Sequence, residues 1–456
     1  MACVSRYAAE QLSVGRKAPA FIPQARKGSE RPESAMKFVL ASYGTRGDIE
    51  PCVAVGRELM RRGHDVHMAV PPDLVDFAQA AGPTAVAYGP DLQAVLDAHR
   101  DFWTHLFRNF WKIQDLIKLR REVVEPFHQC WKDIIATLTT LAEGADLLFT
   151  GVNFEDAAGN VAEYYNIPLA TLHLFPLRAN GQFIPFLPAP LGRSVMKAAE
   201  WMAWRKAQKV ESIQRGELAL AKATSPSPWR LTERGCLEIQ AYDELCFLGL
   251  ADEWSDRSGQ RPFVGALTMD LPGDSDDEVA SWIAAGKPPI FFGFGSLPMA
   301  SGDETLAMIS SACAELGERA LLCAAGTEFS RRPDSENVKV VGAMNYSAAF
   351  PACRAVVHHG GLGTTAAGLR AGVPTLILST DLDQTLWGTR IKRLKVGTAR
   401  RFSATTEKSL VADLRTILEP HYAARAREVA RRMTKPAESI ATTADLVEKL
   451  AGLGRL

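Results

Sequence analysis

The chain has 456 residues, of which 47% are apolar and 23% charged, with 35 Gly and 26 Pro. This composition fits a globular protein of two to three domains and excludes disordered, fibrous and small stapled chains. Lys and Arg total 52, as do Asp and Glu, so net charge gives no reason to expect a nucleic-acid partner.

Eight cysteines, at positions 3, 52, 130, 236, 246, 313, 323 and 353, form no CxxC pair and read as free thiols of a reducing cytosol. No apolar run approaches the roughly 20 residues of a membrane-spanning helix. Residues 1–35 lack the apolar stretch of a secretory signal. They read as a disordered leader or as a start codon placed too early, because Met36 opens the first convincing strand.

From Met36 short apolar runs alternate with helical stretches, which is the mark of a parallel sheet covered by helices. Strands are predicted over Lys37–Ser42, Asp65–Val70, Thr84–Tyr88, Ala145–Thr150, Pro168–Leu172 and Leu237–Tyr242. Between Gly89 and Glu143 lies an aromatic-rich helical insertion, and a second helical stretch runs from Leu191 to Leu220. The acidic, breaker-rich run from Leu271 to Asp277 marks a linker. A second series then places strands over Pro289–Phe294, Ala320–Ala324, Val338–Gly342, Ala355–His358 and Thr375–Ser379, with helices from Pro420 to Leu456. The expected architecture is α/β: two doubly wound, Rossmann-like domains over 36–265 and 281–456, joined by a linker over 266–280. Ligand sites are expected at the carboxyl ends of the strands and in the cleft between the domains.

The strand Ala355–His358 runs into His359-Gly360-Gly361-Leu362-Gly363-Thr364-Thr365 and a helix. A Gly-rich turn that opens a helix leaves backbone N–H groups free, and with the helix dipole these attract an anion such as a diphosphate. The same glycines also suit a tight strand-to-helix turn with no ligand. Upstream, Phe292-Gly293-Phe294-Gly295-Ser296 ends a strand of the same domain; downstream lies Asp381-Leu382-Asp383-Gln384-Thr385-Leu386-Trp387.

Taken together, His358–Thr365, Arg370-Ala371-Gly372-Val373-Pro374, Asp383-Gln384 and Trp387-Gly388 resemble the donor-binding signature of inverting GT-B glycosyltransferases. The branch includes sterol and lipid glucosyltransferases, antibiotic aglycone glycosyltransferases and actinobacterial glycolipid enzymes. The resemblance implies that His359, Gly361, Gly363 and Thr364 contact the diphosphate of a nucleotide sugar, with Ser296 beside it. It also implies sugar contacts from Asp383 and Gln384, and a nucleobase site in Gly342–Phe350 around Met344 and Asn345. Asn345 and Tyr346 depart from the family pattern there, which leaves UDP and dTDP both open.

In the first domain, Gly44-Thr45-Arg46-Gly47-Asp48-Ile49-Glu50-Pro51 follows the first strand. Asp48 suits an N-cap or first-turn carboxylate. The run is also similar to the N-terminal signature of the same family, in which this Asp is the general base, and the two roles are compatible. Sugar transfer to a hydroxyl needs such a group to take the acceptor proton. The N–H groups and His359 can carry the charge of the leaving diphosphate, so no metal or cofactor is expected. Between Asn337 and Thr406 there is no Glu, which argues against a retaining mechanism.

Two other classes compete: a nicotinamide-dependent oxidoreductase, disfavoured because Gly44–Gly47 lacks the third Gly of the dinucleotide fingerprint, and a non-catalytic nucleotide-sugar binder or epimerase of the same architecture. A lipid or other hydrophobic acceptor is suggested by the aromatic insertion, where Phe107 and Trp111 are the candidate contacts. The same apolar stripe is also the ordinary mark of a core-facing helix. Trp201 and Trp204, with basic residues around Lys112 and Arg120, suggest a cytoplasmic enzyme with peripheral contact at the inner membrane face.

Overall fold

The computed structural model describes residues 35–92, 95, 113–184, 187–271, 273, 275–294, 302–324 and 337–454, with much of 113–129 as backbone alone. The leader expected over 1–35 falls almost wholly outside the described residues.

The first half runs β1 (Lys37–Ala41), α1 (Arg46–Arg61), β2 (Asp65–Val70), α2 (Val75–Ala80), β3 (Thr84–Ala87), α3 (Ile113–Ala142), β4 (Leu147–Gly151), α4 (Glu155–Tyr165), β5 (Leu169–His173), α5 (Ala189–Glu217), α6 (Ser227–Glu233) and β6 (Leu237–Gln240). Its sheet is parallel throughout, in the order β3-β2-β1-β4-β5-β6. In β1 successive side chains point to opposite faces: Phe38 and Leu40 enter one apolar core, Val39 and Ala41 the other. Burial on both faces is why the strand reads as an unbroken apolar run.

The second half runs α7 (Leu250–Glu253), α8 (Asp276–Ala284), β7 (Ile290–Gly293), α9 (Gly302–Leu316), β8 (Ala320–Cys323), β9 (Val338–Val341), α10 (Tyr346–Ala349), β10 (Ala355–His358), α11 (Leu362–Ala371), β11 (Thr375–Ser379), α12 (Leu382–Leu394), β12 (Gly397–Arg401), α13 (Glu407–Ile417), α14 (Pro420–Ala430) and α15 (Pro436–Leu453). Its sheet has the order β12-β11-β10-β7-β8-β9, which repeats the first pattern with the strands renumbered. Both halves are therefore Rossmann-like, and each has its switch point where the order reverses, between β1 and β4 and between β7 and β10.

Three features depart from the sequence reading. The sixth strand of the second sheet, β12, is absent from it because Gly397-Thr398-Ala399-Arg400-Arg401 has no apolar run. It is an edge strand with mostly half-buried residues. Its Gly397 lies so close to β11 that a Cβ would meet the Thr375 carbonyl oxygen at 1.7 Å.

The last helix, α15, returns to the first half, where Ala444, Val447 and Ala451 join the core under β1. Arg62 fastens it to Asp445 at 2.6 Å and Glu448 at 2.7 Å, and His64 meets Glu448 at 2.8 Å. Conversely, the segment after β6 packs on the second half: Tyr242 and Phe247 stack edge-on against Trp387 at 6.1 and 5.5 Å. The chain thus crosses between the halves more than once.

Candidate active site

At the first switch point β1 leads through Ser42–Thr45 into α1. Gly44 has φ +140, and a Cβ there would lie 2.4 Å from Asp48 Oδ2. Only glycine therefore lets the Asp48 carboxylate fold back over the loop. The Thr45 N–H and hydroxyl donate to Asp48 Oδ2 at 2.8 and 3.0 Å, and the two residues form a capping box. Enclosure by the surrounding protein pushes the Asp48 carboxyl up to about 6, against the pull of the Thr45 bonds, and the negative charge of Asp383 in the second half adds to the rise. The same turn is tied to the linker, where Met269 N–H donates to Glu50 at 3.0 Å.

At the second switch point β10 leads into His359-Gly360-Gly361. Gly360 has φ +107 and packs so tightly that a Cβ would come within 2.9 Å of Ile377 and 3.1 Å of Gln384. Its N–H donates to His358 Nδ1 at 3.0 Å. Gly361 is the N-cap of α11 and has no side chain to cap with, so the N–H groups of Leu362, Gly363 and Thr364 begin the helix without a side-chain partner. A Cβ on Gly361 would meet His359 Nε2 at 2.6 Å, which shows how closely the imidazole lies over the turn. Burial lowers the His359 pKa to about 4, with the Gly293 carbonyl opposing the drop. Its Nδ1 is buried with no hydrogen-bond partner. The ring is neutral, and it is its Nε2 that lies over the open N-terminus of α11, a setting suited to an anion.

The remaining candidates are more occupied. Asp383 is half-buried in the first turn of α12, while Gln384 is buried and its Oε1 accepts from the Thr380 N–H at 2.8 Å and hydroxyl at 3.0 Å. Gln384 thus completes the capping box of Asp381. Asn345 caps α10, accepting from Ser347 N–H at 3.0 Å, and donates to Asp270 at 2.6 Å. Met344 packs at the margin of the core beneath it. Ser296, Phe107 and Trp111 lie outside the described residues.

Some residues of the site region escaped sequence reasoning. Phe154, just after β4, holds a left-handed backbone (φ 63), a strained state for a bulky side chain. Its ring gathers Tyr43 at 5.2 Å, Tyr88 at 5.3 Å and Trp131 at 6.4 Å. The Tyr88 hydroxyl and the Trp131 indole N–H are buried without partners. No local pattern announces this cluster, since backbone φ is not legible in composition.

Arg370, at the far end of α11, donates to Thr434 O at 2.8 Å, Thr268 Oγ1 at 2.9 Å and Ala266 O at 2.6 Å. It grips both segments that cross between the halves. His173 is fully buried, between Glu155 and Gln240, each at 3.3 Å, and is a core residue with its ring nitrogens occupied.

Comparison with known proteins agrees with this geometry. Residues 38–132 match the glycosyltransferase family 28 N-terminal domain, and residues 307–453 match the C-terminal domain of erythromycin biosynthesis protein CIII-like proteins. A glycosyltransferase of Mycobacterium tuberculosis is 58% identical over 92% of this chain and 100% of its own. The chain belongs to the GT-B glycosyltransferases.

More distant members of this glycosyltransferase family include a sterol 3-beta-glucosyltransferase of Arabidopsis thaliana, 27% identical over 87% of this chain and 65% of its own. The crystal structure of the glycosyltransferase VinC in complex with dTDP covers 92% of this chain and 100% of its own, with a TM-score of 0.61 at 21% identity. In this glycosyltransferase the two switch-point loops lie within the two matched regions. Among the described residues, no helix is long and apolar enough to cross a membrane.

Proposed function

We propose that this glycosyltransferase is inverting and moves a hexose from a UDP- or dTDP-sugar to a hydroxyl of a lipid or other hydrophobic aglycone, with Asp48 as general base and no divalent ion. The acceptor oxygen attacks the anomeric carbon from the face opposite the diphosphate. As the new C–O bond forms, Asp48 takes the hydroxyl proton, and the bond from the anomeric carbon to the diphosphate oxygen breaks with its electron pair leaving on the nucleotide. His359 and the N–H groups of Leu362–Thr364 receive that charge, and the family resemblance adds Ser296 to the diphosphate contacts. Asp383 reads sugar hydroxyls, with Gln384 behind it, and Met344 and Asn345 border the base.

The observation that carries this reading is the raised Asp48 carboxyl, poised at the first switch point and sensing Asp383 of the second half. A base whose pKa lies near working pH is the useful kind. Support for a hydrophobic acceptor comes from the Tyr43, Tyr88, Phe154 and Trp131 cluster beside the same loop, and from the sterol-glucosylating relative.

The test is transfer from a panel of UDP- and dTDP-sugars to sterols and hydroxylated lipids in EDTA, with the product anomer read by NMR. Inverted product at full rate in EDTA is expected. Retained configuration, or activity that returns only with Mg²⁺ or Mn²⁺, overturns the mechanism.

A further inference from the structure

Helix α5 spans 29 residues, about 43 Å at 1.5 Å per residue, and is built inside out. A surface helix normally turns its apolar stripe to the core and its polar face to water. Here the inward face is polar. Glu211, Gln214 and Arg215 are buried. Glu211 accepts from the Trp204 indole at 2.8 Å and pairs with Arg230. Gln214 accepts from Asn160 at 2.9 Å, and Arg215 pairs with Glu163 at 2.8 Å. Near the middle of the helix Glu200 accepts from the Trp229 indole at 2.6 Å.

The outward face is apolar. Leu191, Val195, Met202 and Ile213 are 50%, 41%, 53% and 62% exposed, and with the exposed Ala198 and, between Met202 and Ile213, the exposed Lys209 they fall on one line of the helix, because positions 191, 195, 198, 202, 209 and 213 recur close to whole turns. Trp201 borders the line and is 47% exposed.

The charges around this stripe have one sign. Lys197, Arg205, Lys206 and Lys209 are exposed on α5, whereas no acidic residue between Leu191 and Ile213 is exposed, since Glu200 and Glu211 face inward. In a chain with zero net charge this is a local concentration of cations, and the helical spacing sets Arg205 and Lys206 on either side of the stripe. Apolar side chains along a helix, a bordering Trp and flanking long cations are the parts of an interfacial helix that lies in the headgroup layer. Lys and Arg there lay their stems along the acyl boundary and put their charges on the phosphates.

From this we infer that α5 is the membrane-docking face of the enzyme and that its partner is an anionic lipid surface. This rests on the reading of a hydrophobic acceptor met at a membrane, and it names the surface that makes the contact. The sign of the charge favours lipid over a second copy of the chain, whose identical face would set cation against cation.

The experiment is co-sedimentation of the full chain with vesicles of phosphatidylcholine alone and of phosphatidylcholine with about one-third phosphatidylglycerol, at low and physiological salt. Wild type should bind the anionic vesicles at least about tenfold more tightly than the neutral ones. Val195→Glu with Met202→Glu should abolish binding, and Lys206→Glu with Lys209→Glu should weaken it by more than about tenfold. All these positions are exposed, so melting temperature and transfer to a detergent-dispersed acceptor should be unchanged.

Unchanged vesicle binding by both double variants overturns the assignment to α5 while leaving membrane contact in place. Absence of binding by wild type overturns both. A dimer of the wild type in solution that Met202→Glu dissociates, without vesicle binding, assigns the stripe to a second copy and overturns the proposal. Loss of transfer to the dispersed acceptor by wild type itself counts against the acceptor reading, not against the docking face.

Discussion

The two halves of this glycosyltransferase share one strand order and put a loop at the same topological place, but they finish the following helix in opposite ways. Helix α1 opens with its own acid: Thr45 and Asp48 spend each other's hydrogen-bonding groups, and Gly44 makes room for the carboxylate. Helix α11 opens on Gly361, which has nothing to cap with, beneath a neutral His359 whose Nε2 lies over the turn. One switch point is filled with negative charge and the other is left open to it. The fold places both loops, whereas the residue at the start of each helix decides whether that place holds a base or receives an anion.

Removing the acid from the filled side has the largest expected effect. Asp48→Asn should lower turnover by about 10²- to 10⁴-fold, with nucleotide affinity unchanged in titration calorimetry. Because the folded-state pKa of Asp48 is raised, the folded protein holds this proton to higher pH than the unfolded chain. The stability linked to that proton is present below the unfolded value and is lost as pH rises through about 6. The Asn variant should therefore melt no lower than wild type at neutral pH, which separates a catalytic carboxylate from one retained only as a cap. In wild type, turnover should fall about tenfold per pH unit below about 6, as the base protonates. Near-normal turnover of Asp48→Asn ends the assignment.

Filling the open side comes next. Gly361→Asp would give α11 an acidic start, displace the His359 imidazole that a Cβ there meets at 2.6 Å and set a carboxylate within a few ångströms of the incoming diphosphate, so the loss should be at least that of the repulsion alone, about 3 kcal/mol, or about 10²-fold in affinity. UDP and dTDP should lose affinity together. His359→Ala, which removes one donor to a charged group, should cost about tenfold or somewhat more for both the free nucleotide and the nucleotide sugar. A loss confined to the sugar nucleotide would move His359 away from the diphosphate.

How much of this was legible follows the same physics. Strands buried on both faces announce themselves as apolar runs, which is why β2, β10 and β11 have the boundaries expected for them. The Gly-rich turn and the Gly44–Pro51 run are also readable, because backbone close approach admits few residue types. Edge strand β12 is not, since its half-buried Thr398, Ala399 and Arg400 form no apolar run. Nor is the return of α15: its Ala444, Val447 and Ala451 stripe states that the helix is buried but not against which sheet. In the motif, Arg370 and Trp387 turn out to hold the halves together rather than touch the cleft, and a motif taken as a string does not separate those duties.

The smallest expected effect couples the two loops. Asp383 belongs to the second half, yet its charge helps raise the Asp48 carboxyl in the first. Asp383→Asn removes that like charge while keeping a side chain of similar size and hydrogen-bonding reach. The acid limb of the pH–rate profile should then move to lower pH, because Asp48 ionises more readily without a neighbouring anion. Desolvation remains the leading cause of the raised value, so the limb should stop well short of an ordinary carboxylate. Sugar transfer should fall in the same variant through the lost hydroxyl contact, with free nucleotide binding little changed, so the limb position must be read from the profile's shape rather than its height. A limb that stays in place, or moves to higher pH, would mean that the two switch-point loops do not sense each other across the cleft, and Asp48 would have to be explained by its own half alone.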